Sequence, residues 1–170
     1  MIRTAILLLA LAASTAAAAS QPQWRLTVDG LGAVRIGMTR RQVESALHTR
    51  LKGEPIEDEK ACVEMVPVGR DRGLWFMFEE YKLTRISIGE PSRVTTPRGI
   101  GIGATADRVK RAYGRGLKAE PHKYEDRPAE YLTYWTVPEK RGVRFETDGK
   151  RRVQTIHAGT SSIQYVEGCA

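Results

Sequence analysis

VRIGMTRRQVESALHTRLKGEP (residues 34–55) and IGIGATADRVKRAYGRGLKAEP (residues 100–121) align without a gap at a shift of 66. Nine of the 22 positions are identical, among them Ile36/Ile102, Gly37/Gly103, Thr39/Thr105, Val43/Val109 and Ala46/Ala112. A further match follows at a shift of 70, where Leu83–Gly89 aligns with Val153–Gly159. Self-similarity of this kind reports duplicated architecture, and two copies predict a pseudo-symmetric pair rather than a solenoid. Thr39 and Thr105 read as helix N-caps, since a threonine hydroxyl can accept from a first-turn N–H. Gln42 completes a capping box in the first copy, and Met38 with Val43 forms a hydrophobic staple. Val43, Ala46, Leu47 and Leu51 then fall at helical spacing, as do Val109, Ala112, Tyr113 and Leu117.

Strand-like runs follow each helix. They cover 62–68, 74–79 and 83–89 in the first copy, and 130–137, 142–147 and 152–158 in the second. Turn residues separate them, with Asp148-Gly149 as a hairpin signal. The expected fold is therefore α+β: two tandem α-β-β-β repeats, helices packed on antiparallel sheet. The expected organisation is a leader at 1–19, a first module at 20–93, and a second module with a C-terminal tail at 94–170.

Strand alternation sorts the faces. Phe76, Phe78, Ile86, Ile88, Val143, Phe145, Ile156 and Ala158 share the expected helix-facing side. Trp75, Met77, Arg85 and Ser87, with Arg144, Thr155 and His157, fall on the other. Trp75, Met77, Arg85, Arg144 and His157 are accordingly the candidate binding residues, a mixture of aromatic, apolar and guanidinium groups suited to a contact surface. Trp75 and Met77 packing under the tail is the alternative, because large apolar side chains are usually covered.

The N-terminus predicts export. Arg3 precedes an apolar run from Ile6 to Ala13, and small residues reach Ala19, the order of a secretory signal peptide cleaved near Ala19. The leucine-rich part is too short to span a bilayer, and no later run is long and apolar enough, so no transmembrane segment is expected. Cys62 and Cys169, the two cysteines, are 107 positions apart, and an even count in an exported chain points to a disulfide. The alternative is a catalytic thiol with His157 or His122 as its base.

Among 170 residues, 27 Lys and Arg face 20 Asp and Glu, a net charge of +7, and losing the leader removes only Arg3. A basic exported chain meets anionic envelope components and envelope or secreted proteins rather than nucleic acid. Arg40, Arg41, Lys110, Arg111, Lys140, Arg141, Lys150, Arg151 and Arg152 would form a positive surface beside Trp75 and Met77 if they converge. The three histidines have no ligand spacing, so no metal site is expected. Gly99-Ile-Gly101-Ile-Gly103 lacks the βαβ context of a nucleotide loop, and no cofactor is expected. Glu79-Glu80 and Glu125-Asp126 offer carboxylate pairs for hydrolysis, or solvated turns.

Ile36-Gly37-Met38-Thr39 with Val43, and Ile102-Gly103-Ala104-Thr105 with Val109, followed in each case by antiparallel strands, resemble the BamE/SmpA-like and β-lactamase-inhibitory-protein-like group. The duplication within one exported chain is similar to the inhibitory-protein arrangement. The resemblance implies non-enzymatic modules that bind other envelope or secreted proteins, and no individual site residue carries over. Three expectations result: an exported binding module, an inhibitor of a secreted enzyme using the loop at 121–130, and a small hydrolase built on Cys62 or a carboxylate with a histidine.

Overall fold

A computed structural model of the chain describes residues 24–53, 62–69 and 73–169. The expected leader and its cleavage site lie outside the described residues. The described chain opens with three two-residue strands, β1 (Leu26–Thr27), β2 (Gly30–Leu31) and β3 (Val34–Arg35), which form a small antiparallel sheet. Helix α1 (Arg40–Leu47) follows, and then β4 (Leu51–Lys52), β5 (Cys62–Pro67), β6 (Leu74–Glu79) and β7 (Lys82–Ile88). Helix α2 (Ala106–Tyr113) precedes β8 (Leu117–Pro121), β9 (Glu130–Val137), β10 (Arg141–Thr147) and β11 (Val153–Gly159). The architecture is α+β, with two short helices against one large antiparallel sheet.

Local chemistry sets the helix ends. The Thr39 side chain accepts from the Gln42 N–H, and the Gln42 side chain accepts from the Thr39 N–H at 2.8 Å, a complete capping box. Thr105 accepts from the Arg108 N–H at 3.3 Å. The glycine before each cap has a backbone reason: Gly37 and Gly103 have φ of 91° and 79°, a region that favours glycine. Each such turn then hydrogen-bonds to a strand, Gly37 with Leu83 and Gly103 with Val153, and the Leu83 and Val153 N–H groups donate back to Met38 and Ala104.

Two expected details are corrected. Leu51 and Leu117 do not continue the helices. His48 ends α1 in a left-handed conformation, its N–H directed to Glu44 and Ser45, and Gly114 ends α2 at φ 66°. Leu51 and Leu117 instead begin β4 and β8, so four strands rather than three follow each helix.

The eight strands lie in the order β4-β5-β6-β7-β11-β10-β9-β8. The order is mirrored about the central β7–β11 pair, where Ser87 lies opposite His157 and Ile86 opposite Ala158. The sheet is thus continuous across the 93/94 boundary. Phe76, Phe78, Ile86, Ile88, Val143, Phe145, Ile156 and Ala158 are all buried in one core with Val43 and Leu47 of α1 and Val109 and Tyr113 of α2. That is the helix-facing set expected from alternation.

Candidate binding site

The opposite face of the sheet carries the predicted binding residues, and adjacency of β6, β7, β11 and β10 brings them together. Trp75 pairs with Ser87, Met77 with Arg85, Ser87 with His157, and His157 with Arg144. This face is not open, which corrects the expectation of an exposed contact surface and favours its alternative, coverage by the tail. Met77, Arg85, Arg144 and His157 are 1%, 3%, 5% and 8% exposed. The physical reason is the C-terminal tail. After β11 the Thr160 N–H donates to the Thr84 carbonyl, residues Ser161–Gln164 make a 3-10 turn, and Ile163 is fully buried. A disulfide between Cys62 and Cys169 fastens the end of the tail to β5, as the cysteine count predicts. The bond leaves no Cys62 thiolate, so Cys62 is not a nucleophile in this state.

Arg85 is the tail's main polar anchor. Its guanidinium donates to the Ser162 and Tyr165 carbonyls at 3.0 Å each, and to the Glu64 carboxylate at 2.6 Å. Arg144 lies over the Tyr131 ring at 3.8 Å, a cation–π contact. Next to them, Ser87 Oγ is 2.7 Å from His157 Nδ1, and His157 Nε2 is 3.3 Å from Glu146 Oε1. A cavity of about 280 Å³ touches this group and is bounded by Trp75, Thr155 and tail residues Tyr165–Gly168.

Burial pushes the His157 imidazole below its usual range; the hydrogen bond to Glu146 works against this, and the Arg85 and Arg144 charges reinforce it. For Glu146 burial acts upward, but the hydrogen bond and charge of His157, with Arg144, outweigh it and hold the carboxyl below its usual range. An ionised Glu146 accepts from Nε2–H, which leaves Nδ1 to accept from the Ser87 hydroxyl.

A pH dependence follows. The unfolded His157 takes up a proton near pH ~6.5, before the buried one does. Stability attributable to this group is therefore complete above that pH and is lost as pH falls through the lower folded value. Glu146 adds a second loss in the carboxylate range, of the same sign. The urea midpoint should fall between neutral pH and about pH 5, and His157→Gln, which keeps a donor toward Glu146 but removes the titrating ring, should flatten that decline. A midpoint that stays constant over this interval in the unsubstituted chain would contradict the assignment.

The remaining sequence candidates lie elsewhere. His122 Nδ1 accepts from the Tyr124 and Glu125 N–H groups, and its ring stacks on Tyr131, so it orders the loop between β8 and β9. The nine basic residues, three adjacent pairs and one triplet, do not gather beside Trp75 and Met77. Arg40, Arg41, Lys110 and Arg111 lie on the helices, across the sheet from that face. Lys110, Arg141 and Arg151 are ion-paired with Glu130, Asp29 and Asp107. Glu64, Glu146 and Tyr131 were not anticipated as site residues; period-two counting from Arg144 places Glu146 on the same face. Among the described residues, no group of three or more His, Cys, Asp or Glu is placed to hold a metal ion, and no helix is long and apolar enough to cross a membrane.

No family model and no curated protein matches the chain. In its fold the chain is similar to the crystal structure of an extracellular protein containing an SCP domain from Bacillus anthracis, with a TM-score of 0.51 and 9% identity. The match covers 88% of this chain and 50% of that one, so the chain spans about half that protein's length.

Proposed function

We propose that the chain is an exported, non-enzymatic module of the cell envelope, periplasmic or secreted after cleavage near Ala19, that binds an envelope or secreted protein. The reading takes it as two tandem α+β units, 20–93 and 94–170. The paired Gly37 and Gly103 turns, their matching bonds to Leu83 and Val153, and the mirrored strand order support that division. The disulfide supports export, because such bonds persist in oxidising compartments. The resemblance to BamE-like and inhibitory-protein-like modules supports a protein partner.

The observation that carries the binding role is the loop at 122–129. Its tip is exposed, with Tyr124 at 59%, yet it is ordered from within by His122. It is also tied to the disulfide-anchored tail, since Tyr124 and Lys123 both contact the Glu167 carboxylate. A rigid loop presenting a tyrosine loses little entropy on docking, and tyrosines dominate binding energy at interfaces. The same loop is the one an inhibitor of a secreted enzyme would present.

Immobilised chain should retain a saturable partner from envelope extract. Tyr124→Ala should weaken that complex by at least tenfold, consistent with hot-spot losses of about 2 kcal/mol or more. The Ser87–His157–Glu146 array favours a second reading, a small hydrolase with Ser87 as nucleophile and His157 as base. Ester or amide turnover that disappears in Ser87→Ala would establish that reading and displace the binding one.

A further inference from the structure

The outer face of α2 carries a run of arginines that the loop at 122–129 does not touch and that no carboxylate among the described residues neutralises. Ala106, Val109 and Tyr113 point into the core. Arg108 and Arg111 occupy the pole opposite them, and Arg115 continues the row in the 3-10 turn at Gly114–Gly116. All three are exposed. Arg98 joins the row from the preceding loop, its guanidinium donating to the Ala112 carbonyl at 2.8 Å, while Arg108 donates to the Gly99 carbonyl at 3.0 Å. None of the four has a carboxylate partner among the described residues. Asp107, beside Arg108 in sequence, is directed to Arg151 at 2.6 Å.

The helix does not require these charges. At a shift of 66 the corresponding positions around α1 are Gln42, Ser45 and Thr49, all uncharged, and that helix packs on the same core. Like charges along one helix face repel one another, and no carboxylate among the described residues offsets this. An apolar recess of about 170 Å³ opens beside it, lined by Leu26, Val28, Pro97 and Tyr134, and Arg98 sits on its rim over the Tyr113 and Tyr134 rings.

We infer that this face of α2 docks on an anionic phospholipid surface, Arg98, Arg108, Arg111 and Arg115 holding phosphate groups and the recess taking adjoining apolar chain. Guanidinium forks match phosphate oxygens through paired hydrogen bonds, and a basic row on one helix face complements a planar anionic surface. The inference rests on the exported location proposed above but not on the loop at 122–129.

The test is co-sedimentation of the chain, recovered from the export compartment, with vesicles of phosphatidylcholine alone or mixed with phosphatidylglycerol. Binding should require phosphatidylglycerol and weaken with salt. Arg108→Gln, Arg111→Gln and Arg115→Gln together should reduce it roughly a hundredfold, about fivefold for each arginine. Arg41→Gln, Lys140→Gln and Lys150→Gln together remove the same charge from exposed positions elsewhere and should leave binding within a few fold. Equal loss in both triple variants would reduce the effect to net charge and overturn the assignment. So would equal binding to neutral vesicles, or none to the anionic ones. Capture of a protein through Tyr124 is read independently, so either result can fail without the other.

Discussion

Replacing both Cys62 and Cys169 by serine is expected to lower the free energy of unfolding by roughly 4–5 kcal/mol, the largest single effect in the molecule. The two residues are 107 positions apart, so the bond closes a loop that spans most of the described chain. In the chain-entropy account a long loop restricts the unfolded ensemble strongly, and removing the link returns that freedom to the unfolded state. Domains of this size have about 5–15 kcal/mol in total, so the loss is a large share. A folded-state effect adds to it. The tail from Thr160 onward lies over Arg85 and His157, and without the bond it is retained by Arg85, Ile163, the side-chain contacts of Tyr165 with Glu79 and of Glu167 with Lys123 and Tyr124, and a few backbone bonds. Denaturant unfolding with and without reductant measures the first effect. Hydrogen exchange of the β6, β7 and β11 amides measures the second. An unchanged midpoint after complete reduction would sink the prediction.

How much of this was readable in the sequence divides along physical lines. Caps are local: Thr39 and Thr105 act through groups three residues away, so their roles follow from spacing alone. Alternation is local too, and it sorted Phe76, Phe78, Ile86 and Ile88 from Trp75, Met77, Arg85 and Ser87. Leu51 misled because it lies four residues after Leu47, a helical interval, while the stop signal is a left-handed His48 rather than a glycine. The closure of the second face was harder to read. Ser161–Gly168 has no periodicity, and its place over the sheet depends on Arg85 finding carbonyls nearly 80 positions away. The disulfide indicated that the tail returns to the first half, but not which face it crosses. The polar array was half visible. Ser87 and His157 fall on one face by counting, whereas their contact needs β7 beside β11, a pairing that strand periodicity leaves open. Lys110 and Arg111 are legible as charge on a helix, but the row of Arg98, Arg108, Arg111 and Arg115 is not, and its lack of acidic partners among the described residues emerges only once Lys110 and Arg151 have found theirs.

Arg85 should be the second most sensitive position, and its variants separate two physical causes. Its side chain is 3% exposed, while that of its partner Glu64 is 36% exposed. Losing one member of a buried pair costs most when the charge left behind is the buried one. Glu64→Met strands the Arg85 guanidinium and should cost about 3 kcal/mol, the low end for such pairs because part of the glutamate already meets water. Arg85→Met leaves Glu64 to rehydrate but deprives the Ser162 and Tyr165 carbonyls of their donor, a loss of roughly 2–4 kcal/mol. The double variant should be less destabilised than the sum of the two, since each removes the same bond. Arg85→Lys should fail to rescue, because one ammonium cannot serve two carbonyls and a carboxylate that a planar fork reaches together. Strict additivity, or full stability in Arg85→Lys, would show that Arg85 is not the clasp and that Ile163 packing, the disulfide and the contacts of Tyr165 and Glu167 hold the tail. Hydrogen exchange at 160–168 distinguishes the two: loss of protection confined to the tail means Arg85 acts as its clasp, whereas loss across β6 and β7 means that it also holds the central strands together.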